Sequence, residues 1–208
     1  MAFIAVMFIT PDSLFIRLSN IDTWGLVFYR GIIPFFTVFI GMLLIYKLNF
    51  FKVLFSSGYH GIIYVITFSV TNITFVVSIQ NTNVANTLVM IATAPMLSAI
   101  LSGIFLNERP DKSTWISIII TLFAVFFIFY DSLGIGNFYG DILGLITAVG
   151  LAVGAVTIRS AKSKNLVPAA VIGKLFVAMF ALLFIESFML VEKDLIIVPL
   201  MCILCVAI

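Results

Sequence analysis

Three ionisable side chains, Asp12, Arg30 and Lys174, stand inside long apolar stretches of the sequence. A charge near the centre of a bilayer costs on the order of 2.5 to 3.5 kcal/mol or more. Asp12 lies six residues before the end of one stretch and Arg30 six residues after the start of the next, so the two share a predicted depth. An ion pair between them would relieve the cost. It is either a static clasp between two helices or a site where Asp12 binds a proton or a substrate cation.

Lys174 poses a separate question, because an alignment of the chain with itself places it over Arg30 but places Gly154 over Asp12. No equivalent carboxylate is therefore expected beside it. Two interpretations remain open. Either the long side chain extends to the cytoplasmic headgroups, or it faces a central cavity and meets an anionic group of a substrate.

A stripe of hydroxyl side chains recurs at helical spacing in one apolar stretch, and the following stretch carries further small and polar residues. Such residues serve helix packing and interhelical hydrogen bonds in lipid, or they line a polar cavity. A proline in the second stretch removes a helical hydrogen bond and predicts a bend, which is either a hinge or a static kink. Taken together, we interpret the set as a substrate path: Thr67, Thr71, Asn72, Thr74, Ser78, Thr87, Ala94, Pro95 and Ser98.

Enzymatic chemistry has little support in the sequence. Asp131 and Asp141 superficially resemble the paired aspartates of intramembrane proteases, but we expect both at wet helix ends rather than facing each other. His60 has no serine elbow or second ligand nearby. Cys202 and Cys205 form a lone CxxC within an apolar run, which favours buried packing over a metal or redox site. We expect no metal and no cofactor.

The elements that position these residues follow from composition and from the lengths of the apolar runs. Apolar residues make up 63% of the chain and charged residues 10%, which leaves too little polar surface for a soluble monomer. We predict an all-α, polytopic bundle of transmembrane helices with short loops. Runs near the membrane-spanning length of about 20 residues predict about eight spans, the last cut off: 2–18, 24–46, 61–78, 84–106, 115–130, 139–158, 167–191 and 195–208.

The distribution of basic residues predicts the orientation of these spans. Gaps 79–83 and 131–138 contain no Lys or Arg. Because cytoplasmic loops carry the excess of basic residues, we predict an inner-membrane protein whose amino terminus is cytoplasmic. This bias explains the net charge of +2, so we expect no nucleic-acid partner. The alternate gaps hold Lys47 and Lys52, then Arg109 and Lys112, then Arg159, Lys162 and Lys164.

The self-alignment also predicts an internal repeat of five helices, at 1–131 and 138–208. Because five is an odd number, the two copies must have opposite orientations, as in many secondary transporters. The second copy would run past the last residue. We therefore expect the chain to be a fragment of a longer protein.

Several segments resemble EamA-type proteins of the drug/metabolite transporter superfamily. Residues 87–96, the turn Leu106-Asn107-Glu108-Arg109-Pro110 and Trp115 are similar to the fourth helix, the Gly/Asn-Glu-Arg turn and the fifth helix of that family. Residues 10–12, 28–31 and 140–141 are similar to parts of its first, second and sixth helices. The resemblance implies ten helices in two inverted five-helix repeats, with a substrate path down the centre flanked by the third and fourth helices.

These observations favour a secondary transporter, an exporter or exchanger that moves a small metabolite by alternating access. Its expected partners are a small-molecule substrate and the lipid bilayer, while the sequence gives no prediction of oligomeric state. Two alternatives stay open: a non-transporting membrane fragment or scaffold that acts by helix association, and, more remotely, an intramembrane hydrolase.

Overall fold

A computed structural model describes residues 12–46, 49–108, 111–132, 138–162, 164–185 and 194–202. The regular elements in these ranges are α-helices, as predicted. In chain order they are α1 (Asp12–Leu18), α2 (Thr23–Tyr46), α3 (Asn49–Ser56), α4 (Gly58–Asn81), α5 (Val84–Ile91), α6 (Ala94–Phe105), α7 (Lys112–Ser132), α8 (Phe138–Ser160), α9 (Val167–Ala181) and α10 (Asp194–Met201).

Several of these helices are long and apolar enough to cross a membrane. By length and composition, the described residues contain four such spans: Thr23–Leu44, Gly58–Asn81, Val84–Phe105 and Phe138–Ser160. The bounds of α2, α4, α7 and α8 agree with the predicted runs to within three residues at each end. The prediction of a polytopic helical bundle is therefore confirmed.

The run predicted at 84–106 is interrupted. α5 ends at Ile91, α6 begins at Ala94, and a turn lies between them. Pro95 has no N–H to donate, and its ring would clash with the carbonyl group of Ile91 in a continuous helix. Thr93 stabilises the turn instead, because its N–H and its hydroxyl donate to the Met90 carbonyl at 3.0 and 2.6 Å. The predicted bend at Pro95 is thus a break in the helix.

The gap that carries Lys52 also differs from the prediction, which treated it as a loop. It contains α3, an eight-residue helix that is too short to cross a bilayer. The side chains of Lys52 and Phe55 are both exposed. Because the two residues are three positions apart, both lie on the same exposed face of this helix.

α9 ends earlier than predicted, at Ala181 rather than at 191. Its last turn tightens, because the Leu183 and Phe184 N–H groups donate to carbonyls three residues earlier, at 3.2 and 3.0 Å. Phe184 stacks on Trp24 of α2, with ring centroids 4.7 Å apart. Residues 186–193, the start of the first predicted run and the end of the last one lie outside the described residues.

The chain divides into two compact units, and the boundaries fall within α4 and just before α9. The first unit contains residues 1–65 and 164–208, and its main helix contact joins α2 and α9. The second unit contains residues 66–163, where α5 and α6 pack against α8. Both units combine parts of the predicted repeats, so the repeat stays a prediction.

Candidate functional site

The first unit contains a buried cluster of charged side chains. Asp12 begins α1 and Arg30 lies in α2, and their exposed fractions are 6% and 5%. Arg30 Nη1 donates to Asp12 Oδ1, so the predicted ion pair is present. The same nitrogen lies 3.7 Å from Met201 Sδ in α10, and Cys202 Sγ lies 3.5 Å from the Tyr29 carbonyl oxygen. Three helices therefore converge on the Arg30 side chain.

Lys174 joins this cluster from α9. Its exposed fraction is 6%, so it is not extended to the protein surface, as the headgroup interpretation would require. The charges of Arg30 and Asp12 both act on it. Gly31 explains its position, because a Cβ there would lie 2.8 Å from the Lys174 carbonyl oxygen. The close approach of α2 and α9 thus brings two basic side chains and one carboxylate together among the described residues.

In the second unit, part of the predicted substrate path is buried between helices. Ser78 and Thr87 have no exposed surface, and their hydroxyl oxygens are 2.8 Å apart. Ser78 Oγ also donates to the Gly140 carbonyl at 2.7 Å. Thr74 Oγ1 lies 2.8 Å from Thr147 Oγ1 in α8. These contacts support the packing interpretation for Thr74, Ser78 and Thr87.

The remaining α4 members of the path form hydrogen bonds within their own helix. Thr71 Oγ1 donates to the Thr67 carbonyl at 2.7 Å, and Asn72 Nδ2 donates to the Phe68 carbonyl at 2.8 Å. Gly150 of α8 faces Thr71, because a Cβ at that glycine would overlap the Thr71 hydroxyl. Gly150 and Thr147 of α8 therefore pack on the polar stripe of α4.

A cleft of about 280 Å³ opens beside the break between α5 and α6. Pro95 lines it, whereas Ala94 and Ser98 lie elsewhere on α6. The facing wall is a polar stripe on α7, formed by Thr114, Ser117 and Thr121, that was not predicted from the sequence. The i, i+3, i+7 spacing of these hydroxyl side chains was the available signal. The lining residues are Ala92, Pro95, Met96, Asp111, Ser113, Thr114, Ser117, Ile118 and Thr121.

Asp111 stands at the rim of this cleft and caps α7. Its Oδ1 accepts hydrogen bonds from the Thr114 hydroxyl at 2.6 Å and from the Thr114 N–H at 2.9 Å. These bonds favour the ionised carboxylate and hold the pKa of Asp111 below its ordinary value. Asp111 is fully exposed, so the carboxylate serves the helix start and also gives the cleft a negative edge.

Asp141 was expected at a wet helix end, and that expectation is wrong. Its side chain has no exposed surface. Oδ1 accepts hydrogen bonds from Thr82 Oγ1 at 2.7 Å and from Asn86 Nδ2 at 3.4 Å. Gly140 permits this burial, because a Cβ there would lie 2.7 Å from the Asn81 backbone carbon. The Gly140-Asp141 pair at the start of a small-residue helix was the signal for a close contact.

The turn after α6 contains Asn107 and Glu108 of the predicted Asn-Glu-Arg motif, whose Arg109 lies outside the described residues. Asn107 adopts a positive φ of 54°, a conformation that asparagine tolerates better than most residues. Glu108 Oε2 lies 3.0 Å from Arg159 Nη2, and both side chains are largely exposed. An exposed ion pair contributes at most about 1 kcal/mol. This turn therefore has a structural role at the surface.

The described part of the chain contains no cluster of three or more His, Cys, Asp or Glu side chains that could hold a metal ion. His60 is buried next to Tyr59, with ring centroids 3.9 Å apart. Cys202 is buried against α2, as the packing interpretation expected. Cys205 lies outside the described residues.

Comparison with known proteins identifies the chain. No curated protein and no solved structure gives a match. The family model of the EamA-like transporter family matches residues 1–130, which is more than half of the 208 residues. This match includes the Asp12–Arg30 pair, the polar stripe of α4 and the break before Pro95. The chain is a multi-pass membrane protein that belongs to the EamA-like transporter family.

Proposed function

We propose that the chain forms part or all of a secondary transporter that exports or exchanges a small metabolite across the bacterial inner membrane. Its amino terminus lies in the cytoplasm, it catalyses no covalent chemistry, and an ion or solute gradient supplies the energy. The membership of a family of transporters supports this proposal. The basic residues in alternate gaps support the orientation.

The charged cluster of Asp12, Arg30 and Lys174 carries the proposal. Buried ionisable residues are expensive in a membrane and commonly mark substrate or ion pathways. A clasp between two helices explains the pairing of Asp12 with Arg30, but it does not explain a second cation beside them. A second basic side chain beside a complete ion pair favours a solute that brings an anionic group. We propose that Lys174 contacts this group during transport.

The interrupted helix supports alternating access as the mechanism. In many secondary transporters the site lies near the midplane, beside helices that are discontinuous. The break at Ala92 and Thr93 divides a membrane-length segment into two shorter helices. The two helices can tilt relative to each other with little loss of backbone hydrogen bonds. We propose that this break is a hinge of the transport cycle.

Exchange by purified protein in liposomes tests the proposal. Vesicles are loaded with an unlabelled metabolite extract of the host cells, and uptake of the same extract labelled with 13C is measured by mass spectrometry. We expect the wild-type chain to exchange a subset of anionic metabolites. Lys174→Met should reduce that exchange about tenfold or more, because a charged hydrogen bond is lost. Lys52→Met removes an exposed lysine from α3 and is the matched control.

Absence of exchange by the wild-type chain would instead favour the non-transporting fragment or scaffold. The orientation has its own test, in a background without Cys202 and Cys205. Single cysteines at positions 50, 110 and 162 should resist a membrane-impermeant reagent added outside, whereas those at 81 and 135 should react. The opposite pattern would invert the proposed topology.

A further inference from the structure

The Asp141 carboxyl group is buried, and neighbouring side chains donate hydrogen bonds to only one of its two oxygens. Oδ1 accepts hydrogen bonds from Thr82 Oγ1 and Asn86 Nδ2, at 2.7 and 3.4 Å. Oδ2 is fully buried and has no hydrogen-bond partner among the described residues. An ionised carboxylate carries charge on both oxygens, and a buried charge is more expensive to leave without a partner than a buried neutral group is. The Oδ2 side of Asp141 therefore has room to bind a cation or a proton but receives no hydrogen bond from the described residues.

Among the described residues, the helices around Asp141 place no positive charge beside its carboxyl group. Residues 66–105, which include the second-unit part of α4 and all of α5 and α6, contain no titratable side chain. α8 adds Tyr139, which is largely exposed, and Arg159, which pairs with Glu108 at the opposite end of the helix. In α7 the only basic residue is Lys112, which is the first residue of the helix. The other titratable residues of α7, Tyr130 and Asp131, lie near its opposite end.

Asp141 therefore differs from Asp12, whose carboxylate faces the Arg30 guanidinium. A buried charge without a counter-charge costs several kcal/mol, and a bound proton or cation removes that cost. A metal cation such as Na⁺ would need several oxygen ligands with free lone pairs. Thr82 and Asn86 direct donor hydrogens toward the carboxyl group instead. Of the two cations, the surroundings favour a proton.

A proton at this position would influence the packing of three helix ends. Gly140, the residue before Asp141, accepts a hydrogen bond from Ser78, which also contacts Thr87. Asp141 itself contacts Thr82 and Asn86. The neutral carboxyl is compatible with this closed packing. Loss of the proton leaves a buried charge, which favours separation of the helix ends and entry of water.

We propose that Asp141 binds the proton whose movement drives transport, an inference that rests on the proposed transporter function. The proton binds Oδ2 from the outside water while the ends of α4, α5 and α8 are separated, stays bound while they are packed together, and is released to the cytoplasm when alternating access opens the site to the inside. In the proposed topology these ends face the outside, so that an inward proton gradient loads the site. Thr82 and Asn86 are positioning residues that hold the carboxyl group.

Two measurements on the liposomes separate this inference from the proposed function. The probe is the 13C-labelled metabolite extract, first without a pH gradient and then with one. Wild-type protein should exchange solutes without the gradient and accumulate them with it. Asp141→Asn should keep the exchange but lose the gradient-driven accumulation, falling to the level seen without a gradient. Asp22→Asn, which neutralises an exposed carboxylate between α1 and α2, should keep both activities.

The two possible failures are distinct. Wild-type protein that exchanges nothing would overturn the transporter function itself. Asp141→Asn protein that still accumulates solutes on the pH gradient would overturn the inference alone, and so would accumulation that depends on Na⁺ instead of protons.

Labelling of the wild-type chain tests the protonated carboxyl even if Asp141→Asn does not fold. Dicyclohexylcarbodiimide partitions into membranes and reacts with protonated carboxyl groups. Peptide mass spectrometry at neutral pH should find its adduct on Asp141 and not on the exposed Asp111. An unmodified Asp141 would contradict the inference.

Discussion

Gly31 in α2 lies against the backbone of Lys174 in α9. A Cβ atom at Gly31 would come within 2.8 Å of the Lys174 carbonyl oxygen and within 2.7 Å of the Ala178 amide nitrogen. Only glycine permits this distance between the two backbones. The contact brings the buried Lys174 into the cluster that contains Arg30 and Asp12. The arrangement of the charges therefore depends on a residue that carries no side chain.

Replacement of Gly31 by alanine should destabilise the first unit. The added methyl group would overlap backbone atoms of α9, which cannot move aside as a flexible side chain could. We expect a cost of about 1–3 kcal/mol, the usual range for overpacking. Thermal unfolding in detergent measures it. Gly41→Ala is the control, since a Cβ there meets no described atom within 4 Å. Equal stability of the two variants would contradict the contact.

Exchange of the two charges in the Asp12–Arg30 pair distinguishes a clasp from a binding site. Either Asp12→Arg or Arg30→Asp alone should cost about 3–5 kcal/mol, because each leaves like charges buried together. The double variant restores an attractive pair, and we expect it to recover most of the stability. Exchange of labelled metabolites should recover as well. A stable double variant without transport would show that these groups contact the solute directly.

The sequence predicted the helices well where hydrophobic length alone determines them. α2, α4, α7 and α8 match their predicted bounds because a long apolar run has few alternatives to a membrane-length helix. The ion pair between Asp12 and Arg30 was predictable for a similar reason. Both residues lie at the same depth on successive helices, and burial of either charge alone is expensive.

The remaining features depend on contacts between segments that are distant in the sequence. Lys174 could have extended to a headgroup, and its burial follows from the approach of α9 to Gly31. Asp141 is buried because Gly140 admits the end of α4. Hydroxyl spacing could not distinguish a cavity wall from a helix interface. That choice depends on whether a neighbouring helix covers the stripe, as α8 covers Thr74 and Ser78.

Removal of the Ser78 hydroxyl should weaken the packing of α4 on α5 and α8. Ser78→Ala eliminates the hydrogen bonds to Thr87 and to the Gly140 carbonyl. We expect a loss of about 0.6–1.7 kcal/mol, the range measured for interhelical hydrogen bonds in membrane proteins. Denaturation by a graded detergent mixture measures it. Ser117→Ala should have little effect, because that exposed hydroxyl donates to Ser113 of its own helix. A larger loss for Ser117→Ala would reverse this assignment.

The Asp111 cap makes the start of α7 sensitive to acid. Hydrogen bonds from Thr114 lower the pKa of Asp111 from its ordinary value of 3.8. A carboxylate whose pKa is lower in the folded state stabilises that state fully above the ordinary value. Its contribution is lost as the pH falls through the lowered pKa.

Carboxyl 13C chemical shifts should therefore give a pKa below 3.8 for Asp111. Thr114→Ala should raise that pKa toward the ordinary value, whereas Thr121→Ala, which removes a hydroxyl bonded to the Ser117 carbonyl, should leave it unchanged. An unaltered titration in Thr114→Ala would show that Thr114 does not stabilise the carboxylate.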